Sequence, residues 1–371
     1  MTDIAGTVPV IAVDKVQAVA LAVCTYYFGV WLKGKVGVLS RYSIPSPVVG
    51  GMSFAIVVSF LEYFNIVKVQ IDSTLQTVLM LGFFTTIGLM ASLRVVKDGG
   101  RLLLGFLLAV TVLVFLQNGM GMAIAEAMGF DKHYGILAGS VSMMGGLGTA
   151  AAFGPYFEET YGITGGTAVA VTAATFGMVA ALLIGGPFGE WCIRRYQVKT
   201  PDEVQQPEPE LHLPDDMDTD ITEQHASAKP NFTNEIMRAV SVTALAMGLG
   251  TIVSNYLGHY ITLPAYIGAM IVATVIRNVG DFSGMYKVEG KGLNAVADIT
   301  LVLFVTMAIN NLKLHELVHL ALPLVVILAC QTILMLIYAW TVLFTAFGRS
   351  YDAVMLSVGG IGFSMGATAN G

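Results

Sequence analysis

The chain has 371 residues, 55% of them hydrophobic and 12% charged, with a mean hydropathy of +0.73 and a net charge of −6. An average soluble domain carries about 25% charge, so this balance excludes a soluble enzyme and points to a polytopic helical membrane protein. The acidic excess speaks against a nucleic-acid partner, but it mostly reflects one linker rather than a charged functional face.

A membrane span takes roughly 20 apolar residues. Apolar runs at 16–32, 48–64, 75–93, 102–128 and 166–188 form a first group, and runs at 236–260, 265–276, 295–311 and 320–347 a second. They predict nine spans. The residues before the first run have no basic region and no small-residue cleavage site, so a removed signal peptide is not expected. Between the groups, residues 200–233 hold five prolines and nine acidic residues. Such a segment cannot bury a core and reads as a solvated linker. The division is a first repeat over 1–195, an acidic cytoplasmic linker over 196–233 and a second repeat over 234–371. Cys24, Cys192 and Cys330 lack paired spacing and read as packing residues.

The two groups look like copies at an offset of about 218 residues. Ile44-Pro45 with Gly50-Gly51-Met52 recurs as Leu263-Pro264 with Gly268-Ala269-Met270. Phe84 to Leu89 recurs as Phe304 to Ile309, and Ser140 to Ala150 as Ser357 to Thr368. The first half holds five spans, so its copy enters from the opposite side and the repeat has inverted topology. With the N-terminus outside, 15 of the 19 Lys and Arg residues fall in cytoplasmic loops, as the positive-inside rule requires. Only Lys15, Lys68, Lys132 and Lys313 stay outside.

Two shorter apolar segments, about 135–157 and 353–371, are interrupted by Gly, Ser and Thr. The first carries Ser140, Ser142 and Gly145-Gly146-Leu147-Gly148-Thr149; the second carries Gly359-Gly360-Ile361-Gly362, Ser364, Gly366 and Thr368. Irregular backbone at membrane depth persists only where protein or a watery cavity surrounds it, so both read as re-entrant hairpins with facing tips. The alternative is that the glycines only permit tight helix packing. Polar residues also interrupt the spans: Thr85 and Thr86, Gln117-Asn118, Thr172 and Thr175, Asp298, Thr300 and Thr306, and Gln331-Thr332. An ionisable group at membrane depth is a functional candidate, which singles out Asp298, whereas a Thr more often bonds back to its own helix.

His315-Glu316-Leu317-Val318-His319 matches H-E-x-x-H, the helical signature of a zinc hydrolase. No third ligand motif follows, so an intramembrane zinc peptidase is a lesser alternative and His315 and His319 are set aside as metal ligands.

The chain also resembles the bacterial sodium/glutamate symporter family, most closely in Tyr42-Ser43-Ile44-Pro45, Pro47-Val48-Val49-Gly50-Gly51 and Phe83-Phe84-Thr85-Thr86-Ile87-Gly88-Leu89. Gly145 to Thr149, Ala174-Thr175-Phe176-Gly177, Ile184-Gly185-Gly186-Pro187 and Gly362 to Thr368 carry the rest of the likeness. The resemblance implies sodium-driven uptake of L-glutamate by a homodimer in the bacterial inner membrane, with a scaffold part and a mobile part that carries the hairpins. Two departures stand out. The family often has His where Leu147 stands, and it continues past the second hairpin into a final span that this chain lacks. The expected architecture is thus all-α, an inverted repeat of two five-helix halves, each with a re-entrant hairpin, with the last helix of the second half missing. On this reading the substrate is held by hairpin backbone with Ser140, Ser142, Gly146, Gly148, Thr149, Gly360, Gly362, Ser364, Gly366 and Thr368. Sodium ligands are sought at Thr85, Thr86, Asn118, Gly145, Gly359 and Asp298, and no other cofactor is called for. A carboxylate exchanger or proton-coupled carrier of the same fold is the alternative.

Overall fold

A computed structural model describes residues 8–42, 44–98, 100–198, 232–257, 264–284, 286, 290–314 and 318–366. Residues 199–231 of the expected linker over 196–233, together with His315 and Thr368, lie outside the described residues. Among the described residues fourteen α-helices run in chain order: α1 (Lys15–Lys35), α2 (Gly37–Arg41), α3 (Ser46–Tyr63), α4 (Thr74–Met90), α5 (Leu93–Asp98), α6 (Gly100–Ala127) and α7 (Lys132–Ile136). They continue as α8 (Gly146–Tyr161), α9 (Gly166–Tyr196), α10 (Phe232–Leu257), α11 (Ala265–Ser283), α12 (Lys291–Asn310), α13 (Ala321–Tyr338) and α14 (Tyr351–Ser364). Wider π-helical turns occupy Leu137–Val141 and Ala339–Ala346.

Each of the nine apolar runs is largely helical where it is described, yet seven helices among the described residues are long and apolar enough to cross a bilayer: α1, α3, α6, α9, α10, α12, and α13 with its π continuation. The count falls short of nine for two physical reasons. Helix α4 is apolar but has only 17 residues, and α11, with 19, carries Arg277 and Asp281 in its last turns. Those charges are engaged at a joint with the end of α4. Ser92 Oγ donates to Asp281 Oδ2 at 2.5 Å, Arg277 Nε donates to the same oxygen at 3.0 Å, and Asn278 takes the Leu93 N–H at 2.8 Å while donating to the Ala91 carbonyl at 2.9 Å.

Local chemistry sets the ends. Asp14 Oδ1 accepts from Val16 N–H and Gln17 N–H at 2.8 and 2.9 Å, and Gln17 Oε1 accepts from Asp14 N–H at 3.1 Å, a reciprocal cap for α1. Lys33 and Lys35 occupy its last turn, where the helix dipole favours cations. Ahead of α1, β1 (Val10–Val13) pairs in parallel with β2 (Lys68–Ile71), the residues leading into α4.

The helices form two bodies. In the first, α1 packs on α3, α10 on α11, and α4 and α12 lie between these pairs. Glycine makes both crossings possible: a methyl on Gly50 would overlap the Thr25 carbonyl, and one on Gly268 would lie 2.7 Å from the Gly250 carbonyl. In the second body α6, α7, α8, α9, α13 and α14 pack together, with Leu113, Met335, Leu343 and Phe344 fully buried at its centre. The bodies meet mainly where α8 rests on α12.

Candidate functional site

The first Gly-rich segment breaks twice. Asp131 caps α7 by accepting the His133 N–H at 2.9 Å, and these contacts hold the Asp131 carboxyl below the ordinary carboxylate range, the bond from the His133 backbone being the main cause. Within the π turn Gly139 leaves helical geometry at φ −91°, ψ −131°. The groups so released are satisfied by side chains. Ser140 N–H donates to Asn118 Oδ1 on α6 at 3.0 Å, Ser142 Oγ donates to the Leu137 carbonyl at 2.5 Å, and Thr149 Oγ1 to the Val141 carbonyl at 2.7 Å. A methyl on Gly139 would lie 2.9 Å from Asn118 Oδ1, so the Asn118 side chain would have to shift to admit it. The chain then turns at Gly145 and restarts as α8 at Gly146, whose φ of +71° suits glycine.

The second segment breaks later than its glycines suggest. Gly359, Gly360 and Gly362 all sit inside the continuous helix α14, so their backbone is not unwound there. Gly360 instead lets Leu343 and Phe106 approach, a packing use. The helix ends at Ser364 with Met365 as its cap, and Gly366 turns at φ +90°. This break meets the first one. A methyl on Gly366 would lie 3.4 Å from the Ser142 carbonyl and 3.3 Å from the Ala174 carbonyl of α9. Gly177, one turn along α9, faces both the Met365 carbonyl and Met143 Sδ.

The other sequence candidates are spread out. Gly148 abuts Phe83 of α4 and Leu301 of α12, so the first break leans on the other body. Thr85 and Thr86 are fully buried, but each hydroxyl bonds to its own helix, at the Leu81 and Phe83 carbonyls, both at 2.7 Å. Asp298 is exposed on α12, three residues from Leu301. Asn118 is half-buried, with its carbonyl oxygen engaged by Ser140. His319 is exposed in a 3-10 turn at Val318–Leu320 rather than on an α-helix, and no group of three His, Cys, Asp or Glu that could hold a metal occurs among the described residues.

Between the two bodies opens a cavity of about 610 Å³. Its walls include Gln76 of α4, Tyr156 and Glu159 of α8, Tyr266 of α11, and Asn311 and Lys313 after α12. Tyr266 stacks on Phe84 with ring centroids 4.4 Å apart, and its hydroxyl is buried without a partner among the described residues. Sequence reading missed these residues. Glu158-Glu159 closing an apolar run was the available signal, and Glu158 accepts the Thr167 N–H at 2.7 Å to close the α8–α9 turn.

A many-helix membrane body with two interrupted segments touching at their breaks, beside a cavity between two packed units, is the build of a polytopic solute transporter rather than of an enzyme. The comparison with known proteins agrees: the profile of the sodium/glutamate symporter family matches residues 11–371. The chain is 36% identical over 360 residues to the sodium/glutamate symporter of Escherichia coli K12, covering 96% of this chain and 86% of that protein. It is 32% identical to the sodium/glutamate symporter of Haemophilus influenzae Rd, covering 95% and 85%. The chain belongs to the sodium/glutamate symporter family.

Proposed function

We propose that this chain carries L-glutamate or a closely related acidic amino acid into the cell together with sodium, by alternating access. The observation that carries the site assignment is the contact of the two breaks at Ser142 and Gly366. There α8 begins, and the first N–H groups of a helix have no partner within it. Together with the helix dipole they offer about half a positive charge to a carboxylate. Gly146 and Gly148 supply backbone that a ligand can approach, and Ser140 and Thr149 flank it. Thr85, Thr86 and Asp298 belong to the first body, across which the second would move.

Helix lengths support the re-entrant reading. At 1.5 Å per residue α8 and α14 span about 24 and 21 Å, short of a hydrocarbon core of about 30 Å. The inverted repeat is supported by the paired crossings: Gly50 against Thr25 and Gly29 in one half, Gly268 against Gly250 and Ser254 in the other. With the N-terminus outside, the cavity at Tyr266 and Lys313 opens outward, a route toward the breaks. We take the six-helix body as the scaffold of a homodimer and the second body as the mobile part.

The test is uptake into liposomes under an imposed sodium gradient, with a panel of amino and dicarboxylic acids. Accumulation of L-glutamate that disappears when choline replaces sodium is the expected result. Sodium-independent flux, or a preference for a substrate without an amino group, refutes the assignment.

A further inference from the structure

Three buried oxygens where α6, α13 and α14 meet have no hydrogen-bond partner among the described residues: Gln117 Oε1, Gln331 Oε1 and Ser364 Oγ. Their residues are 1%, 1% and 0% exposed. They belong to one chain of contacts. Gln331 Nε2 donates to the Gln117 carbonyl at 2.8 Å, and Gln117 Nε2 donates to the Ser364 carbonyl at 3.1 Å. Both amide nitrogens face carbonyls, which only accept, so neither side chain can be flipped to place its oxygen there. The two Oε1 atoms are therefore committed to face away from those carbonyls, and buried acceptors left in that state destabilise a fold unless something completes them.

A neutral donor or a cation would complete them, and their setting favours the cation. The orphans are all oxygens, the ligand type that a small hard cation takes. Helix α14 ends at Ser364, and a helix C-terminus carries about half a negative charge. The depth also fits: Gln117 lies about 25 Å along α6 and Gln331 about 15 Å along α13, each well inside a span. We propose that a dehydrated sodium ion binds at Gln117 Oε1, Gln331 Oε1 and Ser364 Oγ. The assignment rests on the sodium-coupled reading above and moves Ser364 from the substrate to the ion. Because Ser364 is one residue before Met365, the break at Gly366 is held in place only while the ion's ligands are together. The ion sits at the negative end of α14, and the substrate carboxylate at the positive end of α8.

The test uses the purified chain without substrate, comparing its thermal midpoint in sodium chloride and choline chloride at equal ionic strength, and then the sodium dependence of uptake at saturating glutamate. Wild type gains stability in sodium. Gln117→Leu, Gln331→Leu and Ser364→Ala lose that sodium-specific gain and raise the sodium half-saturation by about tenfold each, while the glutamate KM at saturating sodium stays within about twofold. Ser364→Ala removes a hydroxyl that bonds to nothing among the described residues, so it remains informative if the glutamine variants do not fold. A Ser364→Ala protein with wild-type sodium gain and half-saturation overturns the assignment. A wild type without any sodium response overturns the coupling reading as well.

Discussion

Gly177 of α9 sits where the two broken segments touch, and its replacement by alanine tests that contact directly. The added methyl would lie 2.5 Å from the Met365 carbonyl and 2.9 Å from Met143 Sδ. An ordinary carbon–oxygen contact needs about 3.3 Å, so the end of α14 must retreat by about 0.8 Å. Backbone on one side and a packed thioether on the other leave little room to give, and overpacking of this kind costs about 1–3 kcal/mol. Gly185 lies on the same helix and faces the same α14, but a methyl there meets only Val358 Cγ1, at 3.7 Å. Its replacement should stay within about 0.5 kcal/mol of wild type. The assay is the initial rate of sodium-driven uptake at matched protein, with the thermal midpoint of each purified variant. Gly177→Ala is expected to lose most uptake and some stability, and Gly185→Ala neither. If the two variants behave alike, the contact between the segments does not carry the function and the reasoning fails.

Two further outcomes follow from the first break. Gly146→Ala forces a side chain onto a φ of +71°, a strain of about 1–2 kcal/mol, and should weaken glutamate more than sodium, read as a rise in glutamate KM at saturating sodium. Asp131 contributes its cap as a carboxylate, and its pKa is lowered by the His133 backbone bond first and by the His133 side chain as well. A lowered value means that this contribution is complete above the ordinary carboxylate pKa and is lost as pH falls through the depressed one. The stability gap between wild type and Asp131→Ala should therefore be constant near neutrality and close only in strong acid, as thermal midpoints measured across pH would show; a gap that closes near neutrality contradicts the cap.

The sequence announces the helices well because burying a backbone in lipid allows few solutions, and every apolar run long enough to span became helical. It announces the first break through the crowded run Gly145-Gly146-Leu147-Gly148, where the chain turns and restarts at Gly146; Gly139, inside the π turn, gave no such signal. The second break was harder to read. Glycine serves close packing as readily as turning, and Gly360, which admits Leu343, looks no different in one dimension from Gly366, which turns the chain. Hydroxyl residues are ambiguous in the same way. Thr85 and Thr86 resemble ligands by position, but their protons bond to the preceding turn. Asn118 and the two glutamines show the reverse case. They stood out only as polar interruptions, and their partners, Ser140, Ser364 and each other's helices, lie too far along the chain for spacing to reveal.

The parallel ribbon of β1 and β2 matters for how α1 and α3 are held together. Val10 aligns with Lys68 and Val13 with Ile71, so the entry to α1 and the exit from α3 are fastened side by side. The helical pair between them thereby becomes a closed ring of chain, cinched at one rim by backbone bonds and at mid-height by the Gly50 crossing. A ring pinned at two levels resists splaying.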